Sequence, residues 1–431
     1  MEQPEDVEVA LAHDREHRFH SSVLCRYSTL FEHLLTQENA ARLSTRAKSQ
    51  GVTTRFRIEL HELPPAGGNV GKLRLMELDS MGRVTTDSAY GPMLPLNENG
   101  KVPLKLFEHY ENIFGAYYGN DIIINDVTIA TALEDAVGLI EVAEYLGSTA
   151  VVAKSIDIAL FKQGQVLFRS IASKPDAWVD LAYRIKSELI FKESIIHLVG
   201  QWNGVGGEIK RHLPVEVGKV CEKHYGLLRE RCKLVEMKVA AIYPSGIERT
   251  EPSQIRRENY ANDVMIWISL SFFRHWFAQA IIAGRGSLNN DGGYALYKQL
   301  AAGGDKYMDK PIMNGFHERF AMTKKGQNVI ENHLLEIKEC IRQCIAQSGI
   351  METESQLDTH KYEATYLTSV KIEKTDYPWV KDTNIARAVA RRASKHVRDA
   401  EETDEEEVDV ELDSDSDYNE PREPNKRVRR G

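Results

Sequence analysis

The chain has 431 residues, 42% of them hydrophobic, and a formal net charge of −9. This length and hydrophobic content are enough for two or three domains with a sizeable core. Residues 401–431 hold thirteen acids and five bases, so the other 400 residues, with 51 acids and 50 bases, are nearly neutral. Because the chain has no overall basic field, we expect no direct binding of nucleic acid.

Cysteine use and hydropathy indicate an intracellular protein that is not in a membrane. The five cysteines are few and odd in number, and the chain opens Met1-Glu2-Gln3-Pro4-Glu5 without a secretory signal. Both features are typical of the reducing cytosol or nucleus. The most apolar run, Val264 to Gly284, is interrupted by Arg274-His275. A charge at the centre of a bilayer costs about 2.5 kcal/mol or more, so we expect a buried helix there.

The N-terminal thirty-five residues predict a hairpin followed by two short helices. Residues 7–11 alternate between apolar and polar or small side chains, and residues 18–20 form the predicted return strand. Ser21 or Ser22 is expected to cap the first helix, and Ser28 to start the second. Farther along the chain, Phe56, Ile58 and Leu60 lie on one face of the segment 55–60.

These elements, in this order over residues 5–162, resemble a BTB/POZ domain of the fungal type. The residues that carry the resemblance are Asp6-Val7, His20, Val23-Leu24, Ser28 with Phe31, and the segments 55–60, 106–119, 139–147, 161–171 and 191–200. The resemblance implies a small mixed sheet with helices, and protein partners that bind through this domain. It also implies two alternative roles, a substrate adaptor of a cullin-type ubiquitin ligase or a nuclear scaffold. Residues 34–38 offer only a loose version of a cullin-contact motif.

The chain departs from this family in three places. Only five residues precede Asp6, so the segment that many dimeric members exchange between subunits is absent. Ser21 stands where a basic residue often follows the family's histidine. Residues 61–103 are an insertion with a Pro-Gly loop at 64–68 and a predicted extra hairpin, whose turn is at 79–82. These departures leave homodimerisation open.

Residues 163–350 are predicted to form a mainly α-helical domain. Apolar residues recur at helical spacing from Ala177 to Ile185, behind Pro175, a residue favoured in a first turn. The following helix is predicted to end at Gly200 as its C-cap. Three longer helices are expected at 215–242, 255–282 and 321–346.

Composition changes sharply near the C-terminus. Residues 351–400 are predicted to be a linker whose segment 384–398 is basic and compatible with a helix. Residues 401–431 are too charged and too poor in aromatic residues to fold, so we expect a disordered acidic tail.

Two short motifs in this tail are candidate functional sites. The terminal basic residues Lys426, Arg427, Arg429 and Arg430 resemble a monopartite nuclear import signal, which favours the nucleus over the cytoplasm. The acids that follow Ser414 and Ser416 suit acid-directed kinases, so both serines are candidate phosphorylation sites.

Motifs for cofactors and catalysis are incomplete. Residues 67–73 lack both the first glycine and the Ser or Thr of a phosphate loop, and Gly204–Gly207 follows no predicted strand. Cys340 and Cys344 share one helix without the tight Cys-x-x-Cys spacing of a zinc knuckle. We therefore expect no metal or other cofactor and no enzymatic activity. The alternative is a catalytic site in the helical domain, assembled from distant His and acidic residues.

The sequence thus predicts an α+β chain: a BTB/POZ domain, a mainly α-helical domain and a disordered acidic tail. The predicted function is a non-enzymatic protein–protein interaction protein, a nuclear scaffold or transcription cofactor. The cullin adaptor and the enzyme with a site in the helical domain remain its alternatives.

Overall fold

The computed structural model describes residues 4–12, 15–61, 70–85, 104–243 and 264–380. Within these residues the chain is α+β, with one four-stranded mixed sheet near the N-terminus followed by mostly helical structure. The described residues up to Asp376 form one compact unit, and Tyr377 begins a second. The strands are β1 (Val7–Ala12), β2 (Arg15–Phe19), β3 (Phe56–His61) and β4 (Lys72–Met76).

Fifteen α-helices lie in the described part of the chain. They are α1 (Ser21–Tyr27), α2 (Thr29–Leu34), α3 (Thr45–Ser49), α4 (Leu104–Tyr117), α5 (Ile129–Leu146), α6 (Thr149–Phe161), α7 (Gln165–Ser173), α8 (Pro175–Ile185), α9 (Glu188–Gly200), α10 (Gly207–His212), α11 (Val215–Ala240), α12 (Val264–Ala280), α13 (Tyr294–Ala302), α14 (Lys310–Arg319) and α15 (Lys324–Ser348).

The sheet has the strand order β2-β1-β3-β4. β1 pairs antiparallel with β2, which confirms the predicted hairpin, and parallel with β3, with Val9 opposite Ile58. A parallel pair needs a crossover connection, and α1 to α3 supply it. Val9 and Ile58 are fully buried, because the alternating apolar side chains of both strands face the helices.

The insertion contributes a strand to this sheet. β4 pairs antiparallel with β3, with Leu75 opposite Ile58. The predicted extra hairpin is therefore corrected in part: residues 72–76 extend the main sheet, and Leu78 and Val84 form only an isolated bridge across the predicted turn. The Pro-Gly loop at 64–68 lies outside the described residues.

The start of α1 differs from the prediction. Neither Ser21 nor Ser22 is its N-cap; His20 occupies that position and makes no capping hydrogen bond with its side chain. Instead, the Ser21 N–H and hydroxyl each donate to the Asp6 carboxylate at 2.8 Å. A carboxylate beside a first turn is favourable because free N–H groups and the helix dipole point toward it. Ser28 caps α2 as predicted, by accepting from the Phe31 N–H at 3.2 Å.

Most of the predicted helices are present, with differences at their ends: α5 already begins at Ile129, ten residues before the segment 139–147. Pro175 occupies the first turn of α8, as predicted. Gly200, however, is the last residue of α9 rather than its C-cap. A Cβ atom there would lie 2.3 Å from the carbonyl oxygen of Leu367, so this glycine permits close packing between two chain segments. The predicted domain boundaries at 162, 350 and 400 stay predictions.

After α15 the chain turns back along the helical part. Gly349 ends α15 in the left-handed conformation, with φ of 59°. The following residues 350–376, here called the strap, run against α9 and α11. Arg231 on α11 donates to the carbonyl oxygens of Ser348 and Ser369, each at 3.0 Å. Such bonds satisfy main-chain groups of a segment that has little regular structure of its own.

Among the described residues, no helix combines the length and the apolar character required to cross a membrane.

Candidate protein-interaction site

A large apolar groove lies between α12 and α14. Its volume is about 910 Å³, and its lining is mainly aromatic and aliphatic. The lining residues are Trp267, Ile268, Ser271, Phe272, His275, Pro311, Ile312, Gly315, Phe316, Arg319, Phe320 and Met322. Phe320 is 58% exposed and Ile312 is 40% exposed, so large apolar side chains face solvent at this surface.

α12 provides one wall because it is apolar on two faces. Ile266, Leu270 and Phe273 are buried, and this face of α12 packs against α15. Ile268 and Phe272 lie on another face, with the same helical spacing, and contribute to the groove. A surface helix normally has one apolar stripe, so the second stripe is the unusual feature of this helix.

α14 provides the other wall, and its capping residues fix where it begins. Asp309 is the N-cap and accepts from the Ile312 N–H at 3.4 Å, and Pro311 lies in the first turn. Phe316 stacks on Phe272 of α12 with ring centroids 4.2 Å apart. Phe316 also contacts Phe320, with centroids 4.9 Å apart. This aromatic series holds the two helices together at the base of the groove.

Lys338 of α15 anchors the turn that leads into α14. Its ammonium donates to the carbonyl oxygens of Gly304 at 2.7 Å and Met308 at 3.3 Å. Met308 adopts φ of 47°, a conformation that a non-glycine residue rarely takes without such support. Burial lowers the pKa of Lys338, although Asp305 and Asp309 act in the opposite direction. The groove therefore rests on a fixed turn and not on a free loop.

Arg319 lies in the lining of the groove, within a segment of the chain that is rich in basic residues. Residues 310–325 contain Lys310, Arg319, Lys324 and Lys325, against the single acid Glu318. Within the described part of the chain, none of these four cations forms an ion pair with a carboxylate. The surface thus offers apolar contact area beside uncompensated positive charge.

One buried polar cluster combines a histidine, a carboxylate and a hydroxyl, and tests the enzyme alternative. His197 Nε2 lies 3.1 Å from Glu193 Oε1 and 3.3 Å from Ser355 Oγ, and Ser355 also donates to Glu193. In a Ser-His-acid triad the serine and the acid contact opposite ring nitrogens; here both contact Nε2. Tyr366 contacts the other nitrogen at 2.8 Å.

The same cluster is closed to substrate. His197 is fully buried, and Glu193 is 1% exposed. Burial raises the pKa of Glu193, but hydrogen bonds from His197, Ser355 and the Gln356 N–H outweigh it and hold this pKa below its ordinary value. The strap is therefore attached to α9 through the ionised carboxylate of Glu193, which accepts these three hydrogen bonds.

The residues singled out in the sequence fall into two groups. Lys426, Arg427, Arg429, Arg430, Ser414 and Ser416 lie outside the described residues, and their roles stay predictions. Cys340 and Cys344 lie one turn apart on α15 and are half-buried. Among the described residues, no group of His, Cys, Asp or Glu side chains is arranged to hold a metal ion.

The groove between α12 and α14 was not predicted from the sequence. The run Val264 to Gly284 was expected to be a buried helix because of its mean apolar character. The sequence does contain an indication of an uncovered face, because the apolar residues of α12 occupy more than one helical face. The exposed His275 interrupts the second of these faces. The partner wall, α14, has few apolar residues and gave no comparable signal.

Comparison with known proteins finds one family. A family model of the FF domain, in its fungal form, matches residues 244–347. The described part of this match begins at Val264 and contains α12, α13 and α14 and nearly all of α15, and thus both walls of the groove. No curated protein and no solved structure matches the chain.

The resemblance to a BTB/POZ domain is therefore wrong. The family comparison finds an FF domain and no BTB/POZ domain, and it supports neither binding through such a domain nor a cullin adaptor. The hairpin, the short helices and the third strand that suggested it are real. Alternation and helical spacing determine such elements, but they are shared by many small α+β folds and do not specify a family. The FF domain is a protein-interaction module, so a non-enzymatic protein-binding role fits the chain, and the match covers the segment that forms the groove.

Proposed function

We propose that this protein is a non-enzymatic interaction protein that binds a partner in the groove between α12 and α14. Two observations that support the proposal fall in the same segment of the chain. The segment matched by a protein-interaction module is also the one that exposes Ile312 and Phe320 to solvent beside the stacked rings of Phe272 and Phe316.

The chemistry of the groove suggests the kind of segment that binds. Two helices form its walls, and apolar grooves of this type take an amphipathic helix that inserts side chains at i, i+3, i+4 and i+7. Arg319 in the lining, with Lys324 and Lys325 a few residues farther along the chain, favours a partner with acids beside its apolar residues. Burying one phenylalanine contributes about 1.5–3 kcal/mol, so each apolar contact accounts for roughly tenfold or more in affinity.

The test compares full-length variants in affinity purification followed by quantitative mass spectrometry. Ile312→Asp and Phe320→Asp place a charge in the groove at exposed positions, where the fold tolerates it. The matched control is Leu335→Asp, because Leu335 is 55% exposed and lies in the same matched segment but outside the groove.

We expect the same partners to be lost in both groove variants and retained in the control. If the partners were recovered equally with all three variants, binding in the groove would be refuted. Circular dichroism melts of the purified variants check that each one is folded.

We further propose that this binding role is exercised in the nucleus, as a scaffold or transcription cofactor. The support is the basic cluster Lys426, Arg427, Arg429 and Arg430 at the end of an acidic stretch. Import receptors recognise short basic clusters of this kind, and acidic stretches are common interaction tails.

A further inference from the structure

The connection between α4 and α5 carries unusual apolar residues for an exposed segment. Residues 120–126 have neither helix nor strand assigned. Three consecutive isoleucines, Ile122 to Ile124, lie here, and Ile123 is 76% exposed. β-branched residues in solvent are typical of strands that pair with another chain.

One edge of this segment is already paired by side chains. The amide of Asn112 accepts from the Ile123 N–H and donates to the Ile123 carbonyl oxygen, both at 3.2 Å. The Asn125 N–H donates to the Asp135 carboxylate at 2.8 Å. Because both main-chain groups of Ile123 point the same way, the backbone is extended there, and the alternating exposure of residues 121–127 agrees.

The opposite edge is open. In an extended chain the main-chain groups of Ile122 and Ile124 point away from those of Ile123. No donor or acceptor within the described ranges pairs with them. A row of unpaired N–H and C=O groups is the arrangement to which an additional strand binds.

Acids outnumber bases around this edge, where Lys105 pairs with Asp135 and Lys162 pairs with Asp126. Residues 106–153 contain eight acids and not one lysine or arginine. Four of the acids are neutralised by ion pairs with distant bases, for example Asp126 with Lys162 at 2.6 Å. Asp121 and Glu134 are exposed and have no ion pair with any described residue. A second copy would place acids against acids, whereas a basic strand would be attracted.

We propose that residues 121–125 accept an added β-strand from a partner protein, whose strand carries β-branched residues flanked by lysine or arginine. Main-chain hydrogen bonds from Ile122 and Ile124 provide the attachment, and the acidic surroundings select the basic flanks. This site is separate from the groove between α12 and α14, so either proposal can be refuted while the other stands.

The experiment measures binding of a labelled synthetic peptide, Lys-Arg-Val-Thr-Val-Thr-Val-Lys-Arg, to the full-length protein by fluorescence anisotropy. Two matched peptides share its length: one is N-methylated at each of its five central residues, and one has glutamate in place of every lysine and arginine. We expect both to bind at least tenfold more weakly than the parent. N-methylation leaves the protein untouched, so this comparison does not depend on any variant folding.

Two measurements on the protein locate the site. Ile124→Pro removes an N–H from the open edge, and proline is tolerated at strand edges, so we expect at least tenfold weaker binding. Val127→Ala, at an 82% exposed position beyond the edge, should bind as the wild type does. Hydrogen exchange of the full-length protein should slow on peptide binding in fragments that cover residues 119–128.

Three results would overturn the proposal. The first is equal binding of the N-methylated and parent peptides, and the second is no measurable binding of the parent. The third is sedimentation showing a dimer that Ile124→Pro converts to a monomer, which would assign the edge to a second copy of this chain.

Discussion

At the scale of single residues, Gly200 controls how closely the strap approaches α9. A Cβ atom would meet the Leu367 carbonyl oxygen at 2.3 Å, and main-chain atoms cannot move aside as a flexible side chain can. We expect Gly200→Ala to lower the free energy of unfolding by about 1–3 kcal/mol, as overpacking usually does. Urea denaturation measures the change.

Gly218 on α11 is the matched control, because an added Cβ there has no neighbour within 4 Å. Gly218→Ala should raise the free energy of unfolding by up to about 1 kcal/mol through helix propensity. If Gly200→Ala were as stable as Gly218→Ala, the close approach of the strap to α9 would be refuted.

His109 gives the fold a dependence on pH. Burial lowers the pKa of His109. The negative charge of Asp135 raises this pKa, and the positive charge of Lys105 lowers it further. Nδ1 lies 3.2 Å from the Lys105 carbonyl oxygen, and the ring packs on Gly138. Protonation at Nε2 would leave a buried N–H with no acceptor among the described residues. The folded protein therefore binds this proton less readily than the unfolded chain does.

The unfolded histidine has a pKa of about 6.5, so the stabilisation is complete above that value and declines as the pH falls below it. We expect the free energy of unfolding to fall from pH 7 to pH 5, and His109→Phe to reduce that slope. Identical slopes for the wild type and His109→Phe would show that this histidine titrates alike in both states.

At the scale of elements, the strap is attached to α9 mainly through one carboxylate. Glu193 receives hydrogen bonds from Ser355, from His197 and from the Gln356 N–H. Glu193→Ala would leave these donors without their acceptor in a buried place. We expect it to cost about 3 kcal/mol and to speed hydrogen exchange in fragments that cover residues 353–357.

Glu354→Gln is the control on the same segment. The Glu354 side chain is 40% exposed and its carboxylate lies 3.7 Å from the Lys192 ammonium, and partly exposed pairs at such distances contribute little. This variant should stay within about 0.5 kcal/mol of the wild type. Slow exchange at residues 353–357 in Glu193→Ala would mean that the strap is held by its apolar contacts instead.

At the scale of the whole molecule, alternation and helical spacing in the sequence predicted most strands and helices. They did not predict how these elements pack together. The hairpin, β3, α8, α11 and α15 follow directly from alternation or helical spacing. Pairing of β4 with β3 was missed, because a strand partner is chosen by packing between distant segments and not by local pattern.

The candidate site was missed for a related physical reason. Mean apolar character indicates that a helix such as α12 is buried somewhere, but not that one of its two apolar faces lacks a covering element among the described residues. The family was also misjudged, since the order of common elements does not determine a family.

The nuclear role also belongs to the whole chain, and a truncation tests it. Removing the residues after Glu420 deletes Lys426, Arg427, Arg429 and Arg430. We expect the nuclear-to-cytoplasmic ratio of a fluorescent fusion to fall, because import receptors recognise such clusters by charge. Replacing Ser414 and Ser416 by alanine in the full chain is the control and should leave the ratio unchanged. An unaltered nuclear signal in the truncated protein would exclude the cluster as the import signal.

Binding of a partner protein in the groove between α12 and α14 is tested inside the intact chain. The most direct measurement places a photocrosslinking amino acid at position 312, inside the groove, or at position 335, outside it, in the full-length protein. Crosslinked proteins are then identified by mass spectrometry. We expect a protein that crosslinks at position 312, does not crosslink at position 335, and is lost when Phe320→Asp is added. Equal crosslinking at both positions, or crosslinking at 312 that survives Phe320→Asp, would contradict this expectation.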